Sequence, residues 1–416
     1  MSNSLAEPGT SGPATPGRKP HDSDSRGRFH GPAAFWLALM AGPLSFGIAG
    51  PALILDDAAK DLDVSTGAVT WTVTAFGWGI AVGTPLLAGL LDRRGVRAAL
   101  TVCGLLVLVG AGLVAGVPVL PVLVLGTALQ GLGTAGLTAT AMNLADSPRV
   151  MGLVTASLAV VGSTAPLAGS LVNDVLSWQA ALALPVLSVV AVPFVAARCA
   201  KGTPVTREPF DPVGAALLTA LVTALVFVPH QPLVAGVCSV AAAVLLAAHV
   251  RSRAHGFVPA VLVRTPSFLV SAGLAFCFAV VNFGMMYAIP ERLENHTSWS
   301  SSEIGVAMVW PLLLGGTLSW FVVAASARTG RRPVIAALVT LAVLGPVLAV
   351  LATASLALLA AQALASIAAA SGQGVFAVHA TSAVPDEQRP PAIGLFNLSY
   401  LLGAAFGPAI VSLLAL

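Results

Sequence analysis

The sequence predicts an all-α protein that crosses a membrane about thirteen times, and three observations carry that reading. Only 9% of the 416 residues are Asp, Glu, Lys or Arg, whereas a soluble domain carries roughly 25%. Hydrophobic residues make up 57% of the chain and the mean hydropathy is +0.91. The apolar residues also fall in runs close to the ~20 needed to cross a ~30 Å hydrocarbon layer as a helix. Lipid offers no partner to backbone N–H and C=O groups, so each run must close its hydrogen bonds internally. The short alternating strands of a membrane barrel are not seen. These grounds exclude a soluble enzyme and a disordered chain. Nucleic acid is excluded as a partner because the basic residues sit in short clusters between apolar runs, with no continuous stripe.

Residues 1–30 are rich in Pro, Gly and Ser and carry Arg18, Lys19, Arg26 and Arg28. They cannot bury enough apolar surface to order themselves, so a disordered cytoplasmic tail is expected. The first apolar run is longer than the core of a cleaved signal. Predicted spans follow at 35–55, 68–90, 97–116, 119–143, 149–173, 178–198, 212–229, 232–250, 266–290, 304–325, 332–352, 354–380 and 391–415. This gives an N-terminal six-helix bundle over 31–200, two extra spans with linkers over 201–264, and a C-terminal bundle over 265–416. With the N-terminus inside, all of the 20 Lys and Arg except Lys60 and Arg292 fall on the cytoplasmic side. That asymmetry is the positive-inside pattern of a multi-pass protein of the cell membrane. An odd number of spans sets Leu416 at the outer face.

The chain also repeats itself. Gln130-Gly131 is followed by Pro166, and Gln373-Gly374 by Pro408 at nearly the same spacing. Between the members of each pair lies a short charged turn, at Asp146–Arg149 and Asp386–Arg389. Arg93-Arg94-Gly95-Val96-Arg97 matches Arg328-Thr329-Gly330-Arg331-Arg332. Duplicated halves of this kind point to a transporter that rocks about a site at the repeat interface.

At these residues a family resemblance emerges. The segment from Pro85 to Arg97, with Asp92, Arg93, Gly95 and Arg97, resembles the loop signature of the major facilitator superfamily. Gln130-Gly131 resembles its fourth-span motif. Ala165-Pro166 with Gly169, followed by Trp178, resembles the fifth-span motif of drug:proton antiporters. The two spans at 212–250, introduced by Phe210-Asp211 and Gly214, are similar to the insertion of the fourteen-span antiporter branch. Residues 391–415, with Gly407-Pro408, resemble that branch's thirteenth span. The resemblance implies the major-facilitator fold, two pseudo-symmetric helical bundles with two inserted spans, here without the last helix. It also implies export. The chain departs from the pattern at Ala88, Val96, Ser45 and Thr127. At the last of these the family carries an Arg to which it ascribes a part in proton coupling.

Site residues follow from position and chemistry. Asp92, Arg93, Gly95 and Arg97 fit a gating loop, with Gly95 allowing a tight turn, and Arg328, Gly330 and Arg332 fit its counterpart. The competing reading is that Arg merely orients the hairpin. Thr127, Gln130, Thr134 and Thr138 form one polar stripe on the fourth span, and Gln362, Ser366 and Gln373 a similar one on the twelfth. Polar groups at this depth face protein or a cavity. The stripes read equally as substrate-binding walls, joined by Asn282, or as interhelical hydrogen bonds. Asp56 and Asp57 would carry a proton if they reached the cavity, since burial raises a carboxyl pKa; a solvated outer loop is the stronger reading. Pro166 with Gly169, and Gly407 with Pro408, bend or closely pack their spans. Trp71, Trp78, Trp310 and Trp320 fit either ligand stacking or anchoring. The four Cys read as small buried hydrophobes.

No catalytic, metal or cofactor arrangement is expected: the 7 His are scattered and no Gly-rich loop precedes a Lys-Ser/Thr pair. The sequence thus reads as a secondary transporter exporting a hydrophobic small molecule (drug, antibiotic or metabolite) in exchange for protons, working in the lipid bilayer as a monomer. An uncoupled facilitator or uptake carrier for a neutral metabolite, and a truncated non-transporting sensor, are the alternatives.

Overall fold

The computed structural model describes residues 32–145, 148–199, 211–228, 231–253, 256–385 and 389–414. The expected tail at 1–30 and the charged turns at Asp146 and Asp386 lie outside the described residues. Among the described residues every regular element is helical. In chain order the principal helices are α1 (Ala33–Leu53), α2 (Thr66–Leu91), α3 (Arg93–Gly116), α4 (Leu120–Leu144), α5 (Leu153–Val175), α6 (Leu184–Arg198), α7 (Pro212–Phe227), α8 (Pro232–Ser252), α9 (Pro266–His296), α10 (Ser301–Val323), α11 (Arg332–Leu351), α12 (Ser355–Ser382) and α13 (Pro391–Val411). Eleven are long and apolar enough to cross a membrane, and α6 and α7 are shorter apolar helices.

Departures from uniform spans trace to proline, which donates no N–H and blocks the preceding turn. In α1 the helix breaks after Ala41, resumes at Leu44–Ala49 and tightens to a 3-10 turn over Gly50–Leu53, at Pro43 and Pro51. The single regular span expected at 178–198 is instead four pieces, Trp178–Leu182, Leu184–Val186, Leu187–Val190 and Val192–Arg198. Pro185 and Pro193 remove two donors from one short window. The outer loop expected at Asp56 and Asp57 is a short amphipathic helix, Leu55–Leu62, closed by Asp63 at φ 53°. Among the cysteines, Cys103 and Cys199 are buried, but Cys238 and Cys277 are exposed. That corrects the expectation for two of the four: in a helix facing lipid, an apolar thiol has no need of a protein interior.

The helices alternate in direction, so the chain has a basic end, holding Arg93, Arg97, Arg198, Arg251, Arg264 and Arg332, and an acidic end, holding Asp56, Asp57, Asp174, Glu291, Glu294 and Glu303. Side chains such as Leu233, Val350 and Leu356 are at least 70% exposed on the rim, an apolar exterior that only lipid would cover. Inside the first half, α1 is tied to α5: the Ser45 hydroxyl donates to the Leu158 carbonyl (3.0 Å) and Ser157 to Ala38 (2.9 Å). Bonds of this kind contribute about 0.6 kcal/mol each in a membrane. The two halves meet along α2–α13 and α5–α10. At the acidic end of the second seam, Ser302 donates to Asp174 at 2.5 Å. The inserted α7 covers the first seam. Trp78 Nε1 donates to Thr223 at 2.9 Å, Trp71 packs on Phe227 with ring centres 5.1 Å apart, and Leu218 and Val222 share a buried cluster with Val82, Leu398 and Leu402. Both indoles are thereby committed to packing α7.

Candidate functional site

The paired turns lie at matched places on the basic end. Gly95 has φ 78° and ψ 173°, and Gly330 has φ 82° and ψ 164°. They are the two glycines with positive φ among the described residues. A side chain in that region costs on the order of 1–3 kcal/mol. Gly95→Ala is therefore expected to lower stability by about that amount, measured by thermal unfolding in detergent, with Gly330→Ala as its counterpart. Arg97 does not reach across to the second half. Its Nε and Nη2 donate to the Cys199 carbonyl at 3.2 and 3.0 Å, capping the end of α6. Arg93 is half-buried at the turn and Arg332 is exposed. The side chains of Asp92 and Arg328 lie outside what the structure describes.

Both proline motifs sit at backbone-to-backbone contacts. A side chain at Gly169 would run into the Gly50 carbonyl of α1, and one at Gly407 would come within 2.6 Å of the Gly284 nitrogen of α9. Pro166 and Pro408 lie inside α5 and α13 beside these contacts. Each half thus packs its proline-bearing helix onto its own first helix.

Two hydroxyls of the α4 polar stripe bond back to their own helix, while Thr138 donates to the Ala41 carbonyl of α1 at 3.5 Å. Thr127 donates to the Val124 carbonyl at 3.1 Å, and Thr134 to the carbonyls of Gln130 (2.8 Å) and Gly131 (3.2 Å). Such back-bonding satisfies a hydroxyl without a neighbouring helix. Gln130 is fully buried, and neither its amide oxygen nor its nitrogen has a hydrogen-bond partner. Its Cγ lies over Gly110, so the side chain runs along α3.

In the second half the structure brings three predicted residues together. Gln362 Nε2 donates to Ser366 Oγ (3.0 Å) and to Asn282 Oδ1 (3.3 Å), and Ser366 donates to Asn282 Oδ1 at 3.0 Å. Gln362 is fully buried and its Oε1 is unpaired. This cluster joins α9 to α12. Gln373 is half-buried and stands seven residues beyond Ser366, about 10 Å along the helix. It does not join the cluster.

A cavity of about 480 Å³ opens between the halves at the acidic end, lined by Leu53, Asp56 and Asp57 from one side and Tyr287, Glu291 and Glu294 from the other. Asp56 accepts from Thr66 (2.6 Å), and Asp57 from Asn173 (2.8 Å) with Lys60 3.9 Å away. At the cavity wall the buried Tyr287 hydroxyl donates to the Ile48 carbonyl at 2.6 Å, linking α9 directly to α1. Tyr287, Glu291 and Glu294 were not among the residues expected from sequence. Their i, i+4, i+7 spacing sets them on one face of α9, but a charged face at a span end is ordinary and does not by itself single them out. Among the described residues no group of three His, Cys, Asp or Glu is placed to hold a metal ion.

The arrangement joins amides and hydroxyls in an apolar interior to a carboxylate-lined cavity at one end and tight turns at the other. The protein resembles a POT family transporter, PepTSo, over 92% of this chain and 88% of that one, at 17% identity and a TM-score of 0.66. A POT family transporter in complex with 5-aminolevulinic acid matches over 94% of this chain and 92% of that one, at 12% and 0.67. A D-xylose-proton symporter matches over 91% and 89%, at 15% and 0.58. The family model of the Major Facilitator Superfamily matches residues 35–275 and 271–416, nearly the whole chain. The chain is a member of the Major Facilitator Superfamily, a multi-pass membrane transporter.

Proposed function

We propose that the protein exports a hydrophobic small molecule across the cell membrane in exchange for protons, its N-terminus on the cytoplasmic side with the basic end. The observation that carries the substrate class is the Asn282–Gln362–Ser366 cluster. It offers neutral donors and acceptors in an apolar interior, with Gln362 Oε1 left to accept from a ligand. A ligand with a few hydrogen-bonding groups on an apolar body satisfies that site without a counter-charge. Gln130 and Gln373 are further contacts in this reading, with Thr127 and Thr134 shaping the wall. The carboxylates of Asp56, Asp57, Glu291 and Glu294 supply proton acceptors where the cavity meets water. The turns at Gly95 and Gly330 serve as the gating loops of the basic end.

The test is energised transport in inside-out vesicles, with a neutral hydrophobic fluorophore as probe. Uptake is expected to need the proton gradient and to collapse with a protonophore. Asn282→Ala removes an acceptor shared by two donors and is expected to slow uptake about tenfold, the effect of roughly 1.4 kcal/mol. Uptake only down the probe's gradient, indifferent to the protonophore, would favour an uncoupled carrier. One observation supports that second reading: among the described residues Asp, Glu, Lys and Arg lie at turns or near helix ends, away from the bundle centre.

A further inference from the structure

The two inserted helices have a fastening of their own, outside the site above. Asp211, only 5% exposed, caps α7 by accepting from the Gly214 N–H at 3.0 Å. The same carboxylate accepts from the Phe257 N–H at 3.0 Å and pairs through both oxygens with His249 Nε2 at 2.9 Å. Those partners lie in three places: the start of α7, the last turn of α8, and the strap that leads to α9. Burial alone would push the carboxyl pKa up, but the two backbone N–H groups and His249 outweigh it and hold the value at about 2. The carboxylate therefore stays ionised through the physiological range.

What lies on either side of this knot gives it mechanical meaning. The α7–α8 hairpin is held to the first half by a directional bond, Trp78 to Thr223. Its contacts with α13 of the second half, at Leu398 and Leu402, are apolar, and apolar contact is non-directional and tolerates sliding. Five residues beyond Phe257, Leu262 is fully buried in the core of the second half, with Phe268, Phe376 and Phe396. Between those two anchored points the strap spans at most about 17 Å even when fully extended.

We infer that the Asp211 knot is a tether at the basic end. It fixes the hairpin, and with it the first half, to the strap entering the second half, and so limits how far the halves part there. This rests on the reading that the halves rock. Spin labels at Arg94→Cys and Ala336→Cys, both exposed positions on opposite halves, report the separation in the otherwise Cys-free full chain in lipid nanodiscs. Asp211→Ala is expected to lengthen and broaden the distance distribution. Inserting Gly-Ser-Gly-Ser between Val258 and Pro259 leaves every contact of the knot in place and adds up to about 13 Å of reach. It is expected to do the same. His249→Gln, which keeps a donor, should give the smaller shift. An unchanged distribution in the insertion variant overturns the tether, even if Asp211→Ala fails to fold. The parent's response to a pH step reports separately on rocking, so a static parent counts against the transport cycle and an unwidened insertion variant against the tether.

Discussion

Replacing Tyr287 with phenylalanine is expected to leave the helices folded and to increase passive access from the acidic-end cavity to the bundle interior about tenfold. The hydroxyl donates to the Ile48 carbonyl at 2.6 Å, crossing from α9 to α1, and the residue is only 7% exposed. Ile48 lies just ahead of the 3-10 turn at Gly50–Leu53, where Pro51 disturbs the regular ladder. Losing the hydroxyl removes a bond of about 1–1.5 kcal/mol and leaves a carbonyl in a site shielded from water. Both effects act on the closed arrangement alone, because parting α1 from α9 lets solvent reach the carbonyl. A shift of 1.4 kcal/mol is a factor of ten in the open fraction. The measurement is the rate at which a membrane-impermeant thiol reagent, added from the acidic end, modifies a cysteine placed at Phe283, one turn deeper on the same face. Equal rates with Tyr and Phe at 287 would show that this hydrogen bond does not hold the passage shut.

That gate shows where sequence reading stops. The spans were legible because thirteen apolar runs separated by charge leave little choice in lipid, and the family followed from the same runs with their turn motifs. The broken α6 was also within reach, since Pro185 and Pro193 stand in the open, but hydropathy alone does not register proline as a breaker. Gly95 suggested a tight turn, and it shares its positive φ with Gly330. Asn282 and Gln362 each stood out as polar residues in apolar helices. Their meeting across α9 and α12 did not, because facing is decided by helix packing and leaves no mark in either segment. Tyr287, Glu291 and Glu294 were hidden for a simpler reason. They fall at the end of a span, where charge is ordinary, and only the cavity between the halves makes that face distinctive.

Gln130 raises the sharpest question of stability against function, and Gln130→Leu is expected to separate the two. The amide is fully buried with both polar atoms unpaired, and its stem lies against Gly110 of α3. A buried donor or acceptor without a partner costs about 1–3 kcal/mol each. Leucine fills much of the same space with no polar group, so the variant should unfold at a higher temperature than the parent in the same detergent. Retaining the amide at that cost makes sense if a ligand or a moving helix pairs with it during the cycle; proteins commonly give up stability at such positions. Transport of the neutral fluorophore should therefore fall about tenfold in the very variant that is more stable. Higher stability with undiminished transport would remove Gln130 from the pathway and leave the amide as a plain defect of the α3–α4 interface. Lower stability would mean that the amide is already paired in the resting protein, through water. Gln130→Glu separates these outcomes further, since a carboxyl at an unhydrated site would be driven to its neutral form, whereas a hydrated one would make transport newly dependent on pH.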